Sequence, residues 1–301
     1  MDLSLTITIS EIQSDISTIE NDVTIYEEVN FEKRADAIDF IDFHVLDRIE
    51  ALPFAEQREQ LETLKLLAEN VKFELENIDN SLFKQIRQNI TTGTSLPFKE
   101  LIDKYIYPDK QLDKVGYDNL DAFINGLLIY EAIPEPTLNR APEMVFYQQI
   151  PMRIILELIE LAKFGTDDVF FDIGSGLGQV GMLVNLISQA TTYGIEYEPA
   201  YCNYAKAIAS ALNLLNVHFI NIDARKADYS QGTVFFMYTP FQGNMLNDVL
   251  SILKTESQNR SIRIFTYGPC SSQLTRYTWL TCVNGSGTNL YKLYEFRNSD
   301  N

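Results

Sequence analysis

The chain has 301 residues, of which 42 are acidic and 24 basic, giving a formal charge of −18, and 46% are hydrophobic. That hydrophobic content excludes wholesale disorder, and three cysteines with two histidines argue against a disulfide framework or a structural zinc. Affinity for a phosphate backbone rests on Lys and Arg displacing counterions, so the acidic balance disfavours a nucleic-acid partner and suits solubility or a basic one.

Met1-Asp2-Leu3-Ser4 lacks the basic region of a secretory leader, and no apolar run reaches the roughly 18 to 20 residues that span a bilayer, so a cytoplasmic protein with no membrane partner is expected. The opening alternation of Leu3, Leu5, Ile7 and Ile9 with Ser4, Thr6 and Thr8 fits a short strand or a frayed end. From Glu11 to Leu128 the pattern is helical: Leu61, Leu64, Ala68, Val71, Leu75 and Ile78 recur at spacings of three and four. Further helices are expected at about 31–50, 80–90, 97–106 and 117–130, separated by Leu52-Pro53, Thr91-Thr92-Gly93-Thr94 and Tyr107-Pro108-Asp109. Residues 1–130 hold 26 acidic and 12 basic side chains, a charge of −14, which leaves −4 for the remainder. Pro134, Pro136 and Pro142 mark a linker, and an amphipathic helix follows from Met152 to Phe164. Two domains are therefore expected, an acidic helical region over 1–135 and a second domain over 136–301.

Beyond the linker the period changes. Strands are expected near 168–173, 192–197, 217–222, 233–238 and 261–267, alternating with helices near 177–190, 199–213 and 243–254, which is the grammar of a mainly parallel sheet. Residues 277–283 and 289–296 flank Asn284-Gly285-Ser286-Gly287 and predict an antiparallel hairpin.

Chemistry concentrates at Asp172-Ile173-Gly174-Ser175-Gly176-Leu177-Gly178, directly after the apolar Val169-Phe170-Phe171. Glycines at alternate positions let the chain turn from strand into helix and bring main-chain amides up to a ligand. Gly176-Leu177-Gly178-Gln179-Val180-Gly181 also satisfies the dinucleotide pattern G-x-G-x-x-G, and Glu196 ends the second strand at a distance that suits ribose hydroxyls of either cofactor. The apolar run stops at Ile173, however, which makes Gly174 the first glycine of the turn and leaves Asp172 at the strand's carboxyl end. A carboxylate there repels a pyrophosphate and suits an ammonium group. S-adenosylmethionine offers an amino-acid tail and a sulfonium, with no phosphate.

Taken with Glu196, with Asp223 at the third-strand end and with the terminal hairpin, the D-x-G-x-G-x-G turn resembles class I S-adenosylmethionine-dependent methyltransferases over about residues 140–297. Its first motif, Asp172 to Val180 with Gln179 after the last glycine, is most similar to that of the non-SET histone-lysine methyltransferases. The resemblance implies an α/β fold, a Rossmann-like seven-stranded sheet with an antiparallel C-terminal hairpin, and an enzyme that passes a methyl group to an unidentified acceptor, a protein lysine or other amine among the candidates. It also implies roles. Asp172 and the amides of Gly174, Ser175, Gly176 and Gly178, with Gln179, hold the methionine end of S-adenosyl-L-methionine; Glu196 takes the ribose hydroxyls; Tyr197, Asp223 and Ala224 meet the adenine. Tyr147 and Gln149, in the segment before the core, lie near the sulfonium or the acceptor. Tyr238-Thr239-Pro240-Phe241 stands where amino-group methyltransferases place Asn-Pro-Pro-Tyr, so Tyr238 and Phe241 are the candidate catalytic residues, although a phenol donates more readily than the amide it replaces. Tyr267, Gly268, Pro269 and Cys270 are candidates for lining the acceptor pocket. Two other functions stay open on sequence alone: a nicotinamide-dependent oxidoreductase, and a silent cofactor-binding module suggested by the Tyr238-Thr239 departure.

Overall fold

In a computed structural model, which describes residues 3–52, 57–106 and 116–298, the chain divides into two compact units, Met1–Leu112 with Asp118–Leu127, and Asp113–Tyr117 with Leu128–Asn301. The division falls upstream of residue 135. Among the described residues no helix is long and apolar enough to cross a membrane.

The first unit is helical. Leu3–Glu20 (α1), Phe31–Phe40 (α2), a π-helical turn Ile41–Leu46 that runs on into Asp47–Ala51 (α3), and Arg58–Thr92 (α4) enclose a core of Ile9, Ile12, Ile16, Ile41, Val45, Ile49, Leu61, Leu64, Val71 and Leu75. The opening segment that fitted a strand or a frayed end is helix, because Ile9, Ile12 and Ile16 share one face at spacings of three and four and bury it there. Two expected helices, around 61–78 and 80–90, are one. No Gly or Pro interrupts 58–92, and the polar Asp79 is kept on the core face by a 2.7 Å ion pair with the fully buried Arg34. The helix ends where Gly93, at φ 71°, returns its amide to Ile90. Phe98–Tyr105 (α5) and Asn119–Leu128 (α6) follow; Phe123 of α6 packs against Phe31 and Phe83 at 5.2 and 5.6 Å between ring centroids.

The second unit is built on a seven-stranded sheet in the order β3-β2-β1-β4-β5-β7-β6. Its strands are Val169–Ile173 (β1), Thr191–Glu196 (β2), Val217–Asn221 (β3), Val234–Met237 (β4), Arg263–Thr266 (β5), Leu280–Cys282 (β6) and Tyr294–Asn298 (β7). Strands β1 to β5 pair in parallel, whereas β7 runs antiparallel to both β5 and β6. The helices are Met152–Ala162 (α7), Gln179–Ser188 (α8), Pro199–Ala211 (α9), Gly243–Ser257 (α10) and Cys270–Leu274 (α11). Alternate residues of the central strands, Phe171, Ile173, Phe235, Met237 and Ile264, pack on one face against Met245, Leu246, Val249, Leu250 and Leu253 of α10.

The expected strands and helices of this unit lie within a few residues of those observed, except in the hairpin. Its second strand is 294–298 rather than 289–296, and the connection is 283–293 rather than 284–287. Asparagines explain the shift. Asn284 accepts the Glu295 amide on Oδ1 and donates to the Leu293 carbonyl, and Asn289 accepts the Tyr291 amide, so side chains occupy the backbone groups that a longer ladder needs.

Candidate active site

At the carboxyl ends of the central strands a cavity of about 960 Å³ opens in the second unit, and the glycine turn forms part of its wall. The amides of Gly174 and Ser175 both donate to the Ile195 carbonyl, at 2.9 and 3.1 Å, which pins the turn to β2. Gly174 and Gly176 have φ of 85° and 52°. A Cβ on Gly174 would lie 2.4 Å from Pro240, and one on Gly176 would lie 2.5 Å from the Tyr147 ring, so neither position has room for a side chain. Gly178 does a different job: it faces the Phe219 ring and Ala205 and lets α8 approach β3, and it does not line the cavity. Helix α8 starts after Gly178 without a side-chain cap.

Asp172 and Glu196 stand near the carboxyl ends of the adjacent strands β1 and β2, Asp172 opposite Gly194 and Glu196 two residues further on. Asp172 is buried, its Oδ2 has no hydrogen-bond partner among the described residues, and burial, then the neighbouring charge of Glu196, pushes its pKa up to about 8. Glu196 accepts the Gly176 amide on Oε2 and the Glu198 amide on Oε1, both at 2.7 Å. Burial raises its pKa as well, against the pull of those amides. The Ser175 hydroxyl is a second buried polar atom without a partner among the described residues. Gln179, buried at the start of α8, accepts the Tyr147 hydroxyl at 3.3 Å, and the Tyr147 ring stands 5.4 Å from that of Tyr201. Tyr197 lines the cavity with 38% of its surface exposed.

A strap made of the former linker closes one side. Glu198 caps α9 by accepting the Ala200 amide, and the same carboxylate takes the Thr137 hydroxyl at 2.6 Å and the Leu138 amide at 2.8 Å. Burial works against its charge, but these donors prevail and hold its pKa down to about 2. On the other side Glu143 accepts the Asn244 and Met245 amides at the start of α10, Met144 bridges to Phe241, and the Val145 amide donates to the Pro240 carbonyl. Gln149, also in the cavity lining, accepts the Tyr117 hydroxyl on its carbonyl at 2.6 Å.

Tyr238, Phe241, Tyr267, Gly268 and Pro269 line the cavity along β4 and β5, and the Tyr238 and Tyr267 rings are 5.5 Å apart. Ala224 lines it beyond Ile222. Two candidates stand apart. Cys270 is fully buried with its thiol toward the carbonyls of Met237 and Tyr267, and it does not line the cavity. Asp223 caps the short helical turn after β3, both its oxygens are taken by the Arg225 guanidinium at 3.0 and 2.6 Å, and it too is outside the lining.

An unpaired buried carboxylate beside a cradle that any Cβ would fill suits a cationic amino-acid tail and opposes a pyrophosphate. An antiparallel β7 inserted between β5 and β6 follows the methyltransferase sheet expected from the sequence resemblance, not an all-parallel dinucleotide sheet. Residues 142–238 match the family model described as "Histone methylation protein DOT1". The second unit is a class I S-adenosylmethionine-dependent methyltransferase domain. No curated protein matches the chain at a significant level. Among solved structures, an RNA methyltransferase from Salinibacter ruber in complex with S-adenosyl-L-homocysteine is 21% identical over 50% of this chain and 92% of its own, with a TM-score of 0.38. A precorrin-6y C5,15-methyltransferase from Geobacter metallireducens is 14% identical over 54% and 94%, with a TM-score of 0.37. A geranyl diphosphate C-methyltransferase from Streptomyces coelicolor is 19% identical over 38% and 42%, with a TM-score of 0.32.

Sequence reasoning missed Glu143, Glu198 and Thr137, which fasten the strap to the methyltransferase core. One signal was available for Glu198: an acidic residue directly before the proline that opens a helix is a capping position.

Proposed function

We propose that the methyltransferase domain transfers its methyl group to an amine, with a protein lysine as the preferred acceptor. The aromatic rim formed by Tyr238, Tyr267 and Phe241 at the acceptor end carries this assignment, because ring faces attract a cationic amine and exclude water around it. The match of residues 142–238 to a histone-methylation family supports a protein acceptor.

Bound in the cavity, S-adenosylmethionine supplies a methyl already activated by its sulfonium. The residues of this chain therefore bind, orient and desolvate. Asp172 would hold the ammonium, with Ser175 Oγ, the other unpartnered buried atom of the turn, as a further partner at the methionine end, while the amides of Gly174 to Gly176 hold the turn itself against Ile195 and Glu196; Gln179 holds Tyr147 over the turn. Glu196 keeps lone pairs beyond the two spent on Gly176 and Glu198, and these accept the ribose hydroxyls. Tyr197 and Ala224 flank the adenine. The Tyr238 hydroxyl, pushed up to about 12 by burial with Tyr117 and Tyr267 near, keeps its proton at neutral pH. It orients the acceptor, and the acceptor's own proton leaves to water.

The test is incubation of the purified full chain with methyl-tritiated S-adenosylmethionine and either histone octamers, denatured cell protein or a mixture of small amines, followed by peptide mass spectrometry. Label on lysine is expected. Label confined to small molecules moves the acceptor class, and tight cofactor binding with no label in any fraction favours the silent module that the Tyr238-Thr239 pair suggests.

A further inference from the structure

Four non-glycine residues among those described have positive φ: Lys163, Gln189, Asn213 and Thr239. Lys163 and Gln189 are the C-caps of α7 and α8, and Asn213 follows Leu212, the C-cap of α9, places where a left-handed residue ends a helix. Thr239, at φ 43°, ends no helix and is the one β-branched residue of the four. For such a side chain this conformation is strained and persists only where the surroundings fix it.

What fixes it is visible. The Thr239 hydroxyl donates to the Tyr267 carbonyl at 3.4 Å and accepts the Cys270 amide at 3.2 Å, bridging the end of β4 to the start of α11. Gly268, at φ 84°, is the residue that fits beside it, since a Cβ there would come to 3.0 Å of the Thr239 hydroxyl. On either side of Thr239 the chain turns functional surfaces inward: Tyr238 stands against the Tyr267 ring, Pro240 lies over Gly174 in the cofactor turn, and Phe241 pairs with Met144 of the strap.

We propose that Thr239 is a positioning residue of the acceptor end, whose doubly bonded hydroxyl holds the chain in a left-handed turn and so sets the Tyr238 and Phe241 rings against the incoming nucleophile. This rests on the methyltransferase reading of the cavity. A relaxed backbone at 239 re-aims those rings while leaving Asp172 on β1, Glu196 on β2 and the Gly176 amide bonded to Glu196 in place.

Three variants separate the hydroxyl from the backbone: Thr239→Val keeps the shape and loses the hydroxyl, Thr239→Gly relaxes the backbone, and Thr239→Ser keeps the hydroxyl. Calorimetry with two probes reads the two ends of the cavity. S-adenosylhomocysteine reports the cofactor cradle, and sinefungin, which carries an amine in place of the transferable methyl, also reports the acceptor end. All three variants should bind S-adenosylhomocysteine within about twofold of the parent, while the preference for sinefungin over it falls roughly two- to fivefold in Thr239→Val and Thr239→Gly and is kept in Thr239→Ser. An unchanged preference in Thr239→Gly, whatever its unfolding temperature, overturns the positioning role and leaves the methyltransferase reading standing. Failure of the parent protein itself to bind S-adenosylhomocysteine overturns both. Should Thr239→Val not fold, the contrast between Gly and Ser decides alone.

Discussion

Glu196 is the position at which the cofactor assignment is most exposed to test. Replacing it with Ala removes the acceptor of two backbone amides, those of Gly176 and Glu198, and the two hydrogen bonds assigned to the ribose hydroxyls. Without ligand the loss is that of leaving two donors of buried residues, Gly176 and Glu198, without their acceptor, and the fall in folding stability should be about 1–3 kcal/mol. With ligand the comparison differs, because hydrogen bonds to a charged acceptor contribute about 1.5–3 kcal/mol, which corresponds to roughly tenfold to hundredfold in affinity. One effect opposes this loss. The charge of Glu196 helps to keep Asp172 protonated, so removing it lets Asp172 ionise more readily and grip the ammonium more firmly. The lower half of the range is therefore expected. Calorimetric titration with S-adenosylhomocysteine, run beside thermal unfolding of the unliganded variant, separates the two effects. Affinity within about twofold of the parent, with the fold intact, would refute the assignment of the ribose to Glu196.

The buried carboxyl of Asp172 should make the unliganded protein less stable as pH rises. A carboxyl whose folded pKa lies at about 8, against an ordinary 3.8, binds more protons folded than unfolded, so its favourable contribution is complete below the lower value and lost as pH climbs through the upper one. Unfolding temperature measured between about pH 5 and pH 8 should fall, and Asp172→Asn should flatten that slope. Gly176→Ala should abolish cofactor binding with the helical unit intact, since the new Cβ meets the Tyr147 ring at 2.5 Å in a backbone conformation that disfavours side chains; tight binding by this variant in a calorimeter would contradict the cradle. Glu198→Ala should free residues 137–138 of the strap and cost about 1–2 kcal/mol, read as faster hydrogen exchange at Leu138 and earlier denaturant unfolding; an unchanged exchange rate there would contradict the fastening role.

The methyltransferase sheet was legible because its signals are local. Apolar runs ending in turn residues define β1 to β5, and the end of the apolar run at Ile173 chooses Gly174 as the first glycine of a turn whose glycines alone fit two registers. The hairpin was misread for an equally local reason that has no period: Asn284 and Asn289 use side-chain hydrogen bonds to occupy the backbone, which hydrophobic alternation does not record. In the helical unit, Asp79 looks like an interruption of α4 until Arg34, 45 positions earlier, is seen to pair with it. The strained turn at Thr239 is likewise invisible in sequence, since it depends on the Tyr267 carbonyl and the Cys270 amide arriving from the connection between β5 and α11.

The same separation accounts for the glycine pattern that both cofactor classes share. A dinucleotide turn and this one place amides alike, so the glycines cannot discriminate between them. What discriminates is the residue two positions before the first glycine, where β1 places Asp172 among buried neighbours with one oxygen unpaired. A phosphate brought beside that oxygen would only raise its pKa further and keep the carboxyl neutral and buried, so no charge pairing is gained, whereas an ammonium relieves burial and the Glu196 charge together by letting the carboxyl ionise against an opposite charge. The discomfort of Asp172 in the unliganded protein is thus itself a selection for a cationic ligand, and it predicts that binding such a ligand releases a proton at neutral pH. Calorimetry in buffers of different ionisation enthalpy measures that proton directly: its release by the parent chain and its absence in Asp172→Asn are expected, and equal release by both would remove Asp172 from the binding step.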